Sequence, residues 1–183
     1  MRWPIYQAKH VIHASGIIAY PTETVWGLGC DPFDGAALNR IIKIKQRDAH
    51  KGLILVGSDI SQFDFLLDGI DQQQRSQLED SWPGPVTYLV AHNNKVHPLV
   101  HGQFATVAIR VSSHPLVQEL CEAVGGPIVS TSANFAGRPT ARSAIQARKL
   151  LGHKIDFILA GPLGSSNSPS RIIDLRSGRV LRH

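Results

Sequence analysis

Ile17-Ile18-Ala19-Tyr20-Pro21-Thr22-Glu23-Thr24-Val25-Trp26-Gly27-Leu28-Gly29 is the stretch on which the reading of this chain turns. It opens as a short apolar run, the length of a buried strand, and then breaks into proline, hydroxyls and glycine. Far along the chain the pattern returns. Ile128-Val129 runs into Ser130-Thr131-Ser132-Ala133-Asn134. A third segment, Lys45-Gln46-Arg47 with Lys51, closes a helical pattern on cations. Small hydroxyl and amide groups at strand ends, faced by cations, suit an anionic ligand. Oxygens and backbone amides orient it, and the cations neutralise it. In open α/β sheets such a site is the crevice at the strand ends.

Outward from these segments, apolar spacing predicts a first helix around Ile5, Ala8, Val11 and Ile12, and another over Ala36 to Lys45. Leu53 to Val56 reads as a strand ending at Gly57. Ser58 to Asp80 reads as two polar helices around Gly69. Trp82-Pro83-Gly84-Pro85 forces a turn. Val86 to Val90 and Thr106 to Val111 read as strands joined by a loop, and Pro115 to Val124 as a helix with proline in its first turn. A helix over Ser143 to Leu151, a strand over Ile155 to Leu159 and a Gly161 to Pro169 loop follow. Arg171 to Leu175 and Val180 to Arg182 then pair around Ser177-Gly178. Strands and helices alternate only in part. The expected class is therefore α/β, an open twisted mixed sheet flanked by helices, in one domain over residues 1–183.

With 183 residues, 43% hydrophobic and 18% charged, the chain suits a globular protein with a real core. It has no apolar run of membrane-spanning length and no signal-peptide pattern at Met1 to Gln7, so the cytoplasm is the expected location. Cys30 and Cys121 make neither a disulfide framework nor a zinc site. Nineteen Lys and Arg against fourteen Asp and Glu leave +5, which favours a polyanionic partner or an anionic substrate. Nine histidines are scattered. His97 and His101 have i,i+4 spacing, but Pro98 lies between them.

Four motifs in order carry a resemblance: Pro21 to Gly29, Lys45-Gln46-Arg47, Ser130 to Asn134, and Pro169-Ser170-Arg171-Ile172-Ile173-Asp174. Together they resemble the YrdC/TsaC family, the threonylcarbamoyl-AMP synthases that begin threonylcarbamoyladenosine synthesis in tRNA. The likeness runs from Ile17 to Arg182. It implies a nucleotidyltransferase with a concave, positively charged groove. Its reaction joins L-threonine, bicarbonate or CO2, and ATP, with Mg2+ arriving on the ATP phosphates and no metal held by protein ligands. The chain ends at His183, without the C-terminal domain of the family's longer members. The product is therefore expected to pass to separate threonylcarbamoyl-transfer proteins.

The resemblance also implies roles. Lys45 and Arg47 match a phosphate-binding Lys-x-Arg and, with Lys51, form the candidate catalytic group. Thr106, Ser132, Thr140 and Arg182 match nucleotide positions, and Asn134 fixes the loop or contacts phosphate. Thr22, Arg110, Ser130 and Ser170 match the threonine site. Lys51 joins them where many relatives carry His, and would there attract a carboxylate or carbonate. Trp26 stands in place of Tyr, and Asp48 in place of Pro. Each residue also has a plainer reading. Lys45 and Arg47 suit a helix C-terminus, Trp26 suits the core, the Ser/Thr/Asn cluster suits a turn, and Arg182 suits a frayed terminus. The chemistry needs no enzyme nucleophile, and the sequence has no nucleophile elbow, H-E-x-x-H or Walker A lysine. The competing reading is a non-enzymatic RNA-binding module. Lys43, Arg138, Arg142, Arg171, Arg176 and Arg179 extend the positive surface, and under the enzyme reading they are expected to bind tRNA weakly, whereas tight binding would mark the RNA-binding module.

Overall fold

The computed structural model describes residues 1–166 and 168–182. Asn167, in the expected Gly161 to Pro169 loop, and His183, one of the nine histidines, lie outside them. The chain runs α1 (Trp3–His13), β1 (Ile18–Pro21), β2 (Trp26–Gly29), α2 (Gly35–Lys45), β3 (Ile54–Gly57), α3 (Asp64–Leu67), α4 (Gln72–Ser81), β4 (Val86–Ala91), α5 (Pro98–His101), β5 (Thr106–Val111), α6 (Pro115–Val124), β6 (Ile128–Ser132), α7 (Ala144–Leu151), β7 (Phe157–Ile158), β8 (Arg171–Asp174) and β9 (Val180–Arg182). The nine strands form one sheet in the order β7-β1-β2-β6-β3-β5-β4-β8-β9. β3 runs parallel to β5 and antiparallel to β6, so the sheet is mixed at its centre.

Local signals place the helices. The Asp34 carboxylate accepts from the Ala36 and Ala37 amides and starts α2. At its other end Gln46 takes a left-handed conformation, φ 50°, and turns the chain away from the helix axis. Asp71 and Gln74 form a reciprocal capping box at α4.

Alternation along the strands decides where a site can exist. Leu55 and Val129 point to one face of the sheet. They join Ile109, Val107 and Val111 in a core closed by Ala37, Leu38 and Ile41 of α2. The opposite face is covered over only half its length. There α1 and α6 lay Ile5, Ala8, Ile12, Leu116, Val117 and Leu120 over Ile18, Tyr20, Val56 and Ile128. Two residues further along the same face come Ile54, paired with both Ser130 and Ala108, and beyond them Ser132. Among the described residues no helix packs over these, though α5 borders them through Val100 and His101, and the open half becomes the floor of a groove.

Three segments differ from the sequence reading. Trp26–Gly29 is strand β2 rather than the continuation of a turn, despite its two glycines. A Cβ on Gly29 would come within 2.8 Å of Tyr20 Cε1 and 2.9 Å of the Val129 carbonyl. The glycine makes room for a buried tyrosine ring, not for a bend. Ser130 to Ser132 continues β6, paired with Ile54, Leu28 and Gly27, instead of opening a loop. The segment between β4 and β5 holds the short helix α5 rather than loop alone.

Candidate active site

The groove over the uncovered half of the sheet encloses about 530 Å3, within the range of small-molecule sites. Elements distant in sequence supply its walls: Thr22 and Thr24 from the β1–β2 turn, Ser130 and Ser132 from β6, and Thr106, Ala108 and Arg110 from β5. Arg182 of β9, Ser170 and Thr140 complete it. Four cations line it, Arg47, Lys51, Arg110 and Arg182, and no Asp or Glu does so among the described residues. That charge imbalance suits a polyanion.

Arg47 enters because left-handed Gln46 breaks the helix and Arg47 N–H bonds back to the Ile42 carbonyl. One guanidinium nitrogen donates to the Lys51 carbonyl at 3.3 Å, while its buried Nε finds no partner among the described residues. Burial pushes its pKa down. Lys51 sits exposed at the rim.

Lys45, expected to line the groove with Arg47, does not. It is 2% exposed. Its ammonium donates to the Ser132 carbonyl, to Asn134 Oδ1 at 3.0 Å, to the Asn134 carbonyl at 3.2 Å and toward Ser132 Oγ at 3.3 Å. Burial, then the nearby Arg47 charge, brings its pKa down to about 8. Asn134 likewise stays outside the lining. Its Oδ1 accepts from Ser132 Oγ at 2.7 Å, and its amide donates to the Arg138 carbonyl at 2.5 Å. Lys45 and Asn134 thus brace the segment that presents Ser132.

At the other end of the groove lies a smaller void of about 60 Å3, walled by Thr22, Glu23, Thr87, Arg110, Ser112, Ser130 and Ser170, with Ile54, Val56 and Val117. Arg110 Nε donates to the Gly84 carbonyl at 2.9 Å, so the Trp82–Pro85 turn anchors it. Its Nη2 lies 2.5 Å from Glu23 Oε1, in a pair only 14% and 12% exposed. This is a charge contact without hydrogen-bond alignment. Glu23 Oε1 also accepts from Ser112 Oγ at 2.7 Å and the Ser113 amide at 3.1 Å. Burial alone would raise the Glu23 pKa, but Arg110 and these donors hold it below the usual carboxylate value. Arg182 donates to the Ser170 carbonyl at 2.8 Å and to Ser170 Oγ at 3.0 Å, and Ser170 Oγ meets Thr87 Oγ1 at 2.8 Å. Burial, then the Arg110 charge, lowers the Arg182 pKa. Thr22 gives its hydroxyl proton to the Val25 carbonyl at 2.7 Å, which leaves its oxygen as an acceptor.

Trp26 is both core and wall, 1% exposed yet bordering the groove. Sequence reasoning missed His101 and Phe104, which also line it. No motif marks them, because they reach the groove through α5 and the turn after it. His101 stacks on His92, centroids 3.9 Å apart and planes 8° apart, and its Nδ1 meets the Phe104 carbonyl at 3.1 Å. Phe104 is 49% exposed.

Against known proteins, the Sua5/YciO/YrdC family model, described as telomere recombination, matches residues 10–183. The chain is 51% identical over 178 residues to the threonylcarbamoyl-AMP synthase of Chromohalobacter salexigens, covering 97% of this chain and 96% of that one. It is 47% identical over 180 residues to the Stutzerimonas stutzeri protein of the same name, covering 98% and 97%. P. abyssi Sua5, solved in complex with L-threonine, superposes with a TM-score of 0.90 at 31% identity over 97% of this chain; the chain spans about half of that protein, 52%. The four motifs lie around one groove, in a fold and a sequence matched along nearly the whole length, and the chain belongs to the Sua5/YciO/YrdC family.

Proposed function

We propose that this protein is a threonylcarbamoyl-AMP synthase. It converts L-threonine, bicarbonate and ATP into L-threonylcarbamoyl-AMP, pyrophosphate and water, for threonylcarbamoyladenosine modification of tRNA; CO2 can replace bicarbonate, and then no water forms. One observation carries the reading from the geometry. A groove with four cations shares Thr22, Arg110, Ser130 and Ser170 with a small void at one end, whose other polar walls are Glu23, Thr87 and Ser112. The first space suits a nucleoside triphosphate and the second a small amino acid. The name shared by full-length relatives at 47% and 51% identity supports the same reading, and favours an enzyme over a non-enzymatic RNA-binding module.

In this reading the threonine amine becomes a carbamate, whose oxygen attacks the α-phosphorus and expels pyrophosphate. The enzyme aligns the reactants and stabilises phosphoryl charge. Arg47 faces the phosphates, its planar fork suited to two oxygens, while Lys51 at the rim attracts a carboxylate or carbonate. Ser132, Thr106, Thr140 and Arg182 hold the nucleotide, and Lys45 and Asn134 keep Ser132 in place. Arg110 takes the threonine carboxylate. Thr22, Ser130 and Ser170 offer hydroxyls to the amino acid. No Asp or Glu lines the groove among the described residues, so Mg2+ would ride on the ATP phosphates, where it neutralises charge. Among the described residues no helix is long and apolar enough to cross a membrane. We place the enzyme in the cytoplasm, handing its product to separate transfer proteins.

The deciding measurement is pyrophosphate release from ATP and bicarbonate with L-threonine, with L-serine and with no amino acid. Release should depend on threonine. Equal rates in all three would refute the assignment.

A further inference from the structure

The amino-acid substrate of the proposed reaction is a zwitterion, and the groove it must enter is cationic. Arg110 and Arg182 stand close enough for the first to depress the pKa of the second, and Lys51 waits at the rim. These charges attract a carboxylate and repel an ammonium. Among the described residues lining the groove or its end void, one side chain is acidic: Glu23. It shares the void with Thr22, Arg110, Ser130 and Ser170. On its far side it borders a larger cavity with Ser113 and His114.

The two carboxylate oxygens of Glu23 are not equivalent. Oε1 collects Arg110 Nη2, Ser112 Oγ and the Ser113 amide. Oε2 takes no bond from any other residue among those described. Arg110 is similarly part-committed, with Nε on the Gly84 carbonyl and Nη2 facing Glu23. A guanidinium has five N–H donors, so it retains some for a second carboxylate. The fixed pair offers a negative and a positive group side by side, the complement of an amino acid's own two charges.

We infer that Glu23 is the residue that receives the ammonium of the amino-acid substrate, through Oε2, while Arg110 receives its carboxylate. This rests on the proposed reading of the site as a threonine site. It gives Glu23 a role beyond bracing Arg110. A brace would need only Oε1, whereas an ammonium receptor needs the second oxygen unspent and a negative charge placed at the small end of a positive groove.

Calorimetry separates the two roles by comparing L-threonine with 3-hydroxybutanoate, which is threonine without its amine. The wild-type protein should prefer threonine, and Glu23→Gln should weaken threonine roughly 10- to 100-fold, as for losing a charged hydrogen bond. 3-Hydroxybutanoate should change far less, so the preference collapses. Glu23→Asp keeps the charge but withdraws it by one methylene, and should fall between the two. It also serves if the Gln variant does not fold, which circular dichroism reports. Equal weakening of both ligands would make Glu23 only a brace and overturn the inference, as would unchanged threonine binding. If the wild-type protein does not bind threonine at all, the threonine-site reading falls and this inference with it. A preserved preference in both variants refutes the inference alone.

Discussion

Lys45 Nζ lies 3.0 Å from Asn134 Oδ1, and the ammonium meets only neutral oxygens of residues 132 and 134. A cation 2% exposed has thus been taken from water without a carboxylate. Its neighbour Arg47 lines the groove with a buried Nε left unpaired. Two cations two residues apart therefore do different work, one holding the β6 end in place and one facing the groove.

Removing each should separate these tasks. Lys45→Ala and Arg47→Ala should both lower kcat/KM, by ~2–4 kcal/mol of transition-state stabilisation, or roughly 30- to 1000-fold. Only Lys45→Ala should also lower stability, by ~1–3 kcal/mol, because buried acceptors on Ser132 and Asn134 lose their donor. Pyrophosphate assays and thermal melts on both variants check this. Equal melting temperatures would mean that the Lys45 brace contributes nothing to folding.

The depressed Lys45 pKa gives a pH prediction with a definite sign. It falls from an ordinary 10.5 to about 8 in the folded protein. Between those values the unfolded chain binds more protons than the folded one, so stability from this group rises with pH. The gain is ~3 kcal/mol at most, complete near pH 10.5 and absent below pH 8. Wild type should therefore gain stability relative to Lys45→Met across that window in denaturant titrations. A constant difference would mean that Lys45 keeps its ordinary pKa.

The outline of this arrangement was legible in the sequence, and its wiring was not. Strands β1, β3, β4 and β5 announced themselves as apolar runs, α1 and α2 by spacing, and α6 with a proline in its first turn. β2 did not, because two glycines in four residues read as a turn until the Tyr20 ring that needs their space is known. The expected site residues Thr22, Arg47, Arg110, Ser130, Ser132 and Ser170 do meet around one groove. Burial of Lys45 could not be read, since a lysine ending a helix looks the same whether it faces water or Ser132. His101 and Phe104 carry no motif at all.

Phe104 offers one such check. It lines the groove while 49% exposed, and an aromatic face there suits stacking on a base. Phe104→Ala should raise the KM for ATP about 3- to 10-fold with the threonine KM unchanged, as expected for losing a stacking contact of ~0.5–1.5 kcal/mol. Steady-state kinetics with each substrate varied in turn decides. A shift in the threonine KM alone would place the nucleotide base elsewhere.

Arg110 tests the assignment of the two ends of the groove. Its fork is held by Gly84 and Glu23 at the small void. Arg110→Ala should weaken threonine binding far more than ATP binding, because the lost partner belongs to a carboxylate. It also strands Glu23 as a buried, unpaired carboxylate, so the variant should melt earlier. Calorimetry with each ligand is the measurement, and a larger loss for ATP would exchange the ends.

The last prediction concerns RNA. Lys43, Arg138, Arg142, Arg171, Arg176 and Arg179 are exposed, and none has an ion-pair partner among the described residues. Unpaired surface cations contact phosphates without reading sequence, and each contact releases counterions. tRNA binding should accordingly be weak and sequence-tolerant, and should fall with salt at a log–log slope of about −0.7 to −0.9 per contact. Replacing Arg138, Arg142 and Arg179 together with Ala should flatten that slope by about 2 to 3, and leave threonine-dependent pyrophosphate release intact because none of the three lines the groove. Filter binding at several salt concentrations, alongside the pyrophosphate assay, gives both readouts. Tight, salt-insensitive tRNA binding that is required for ATP cleavage would reverse the order of the two functions, making RNA recognition primary and the adenylate chemistry dependent on it.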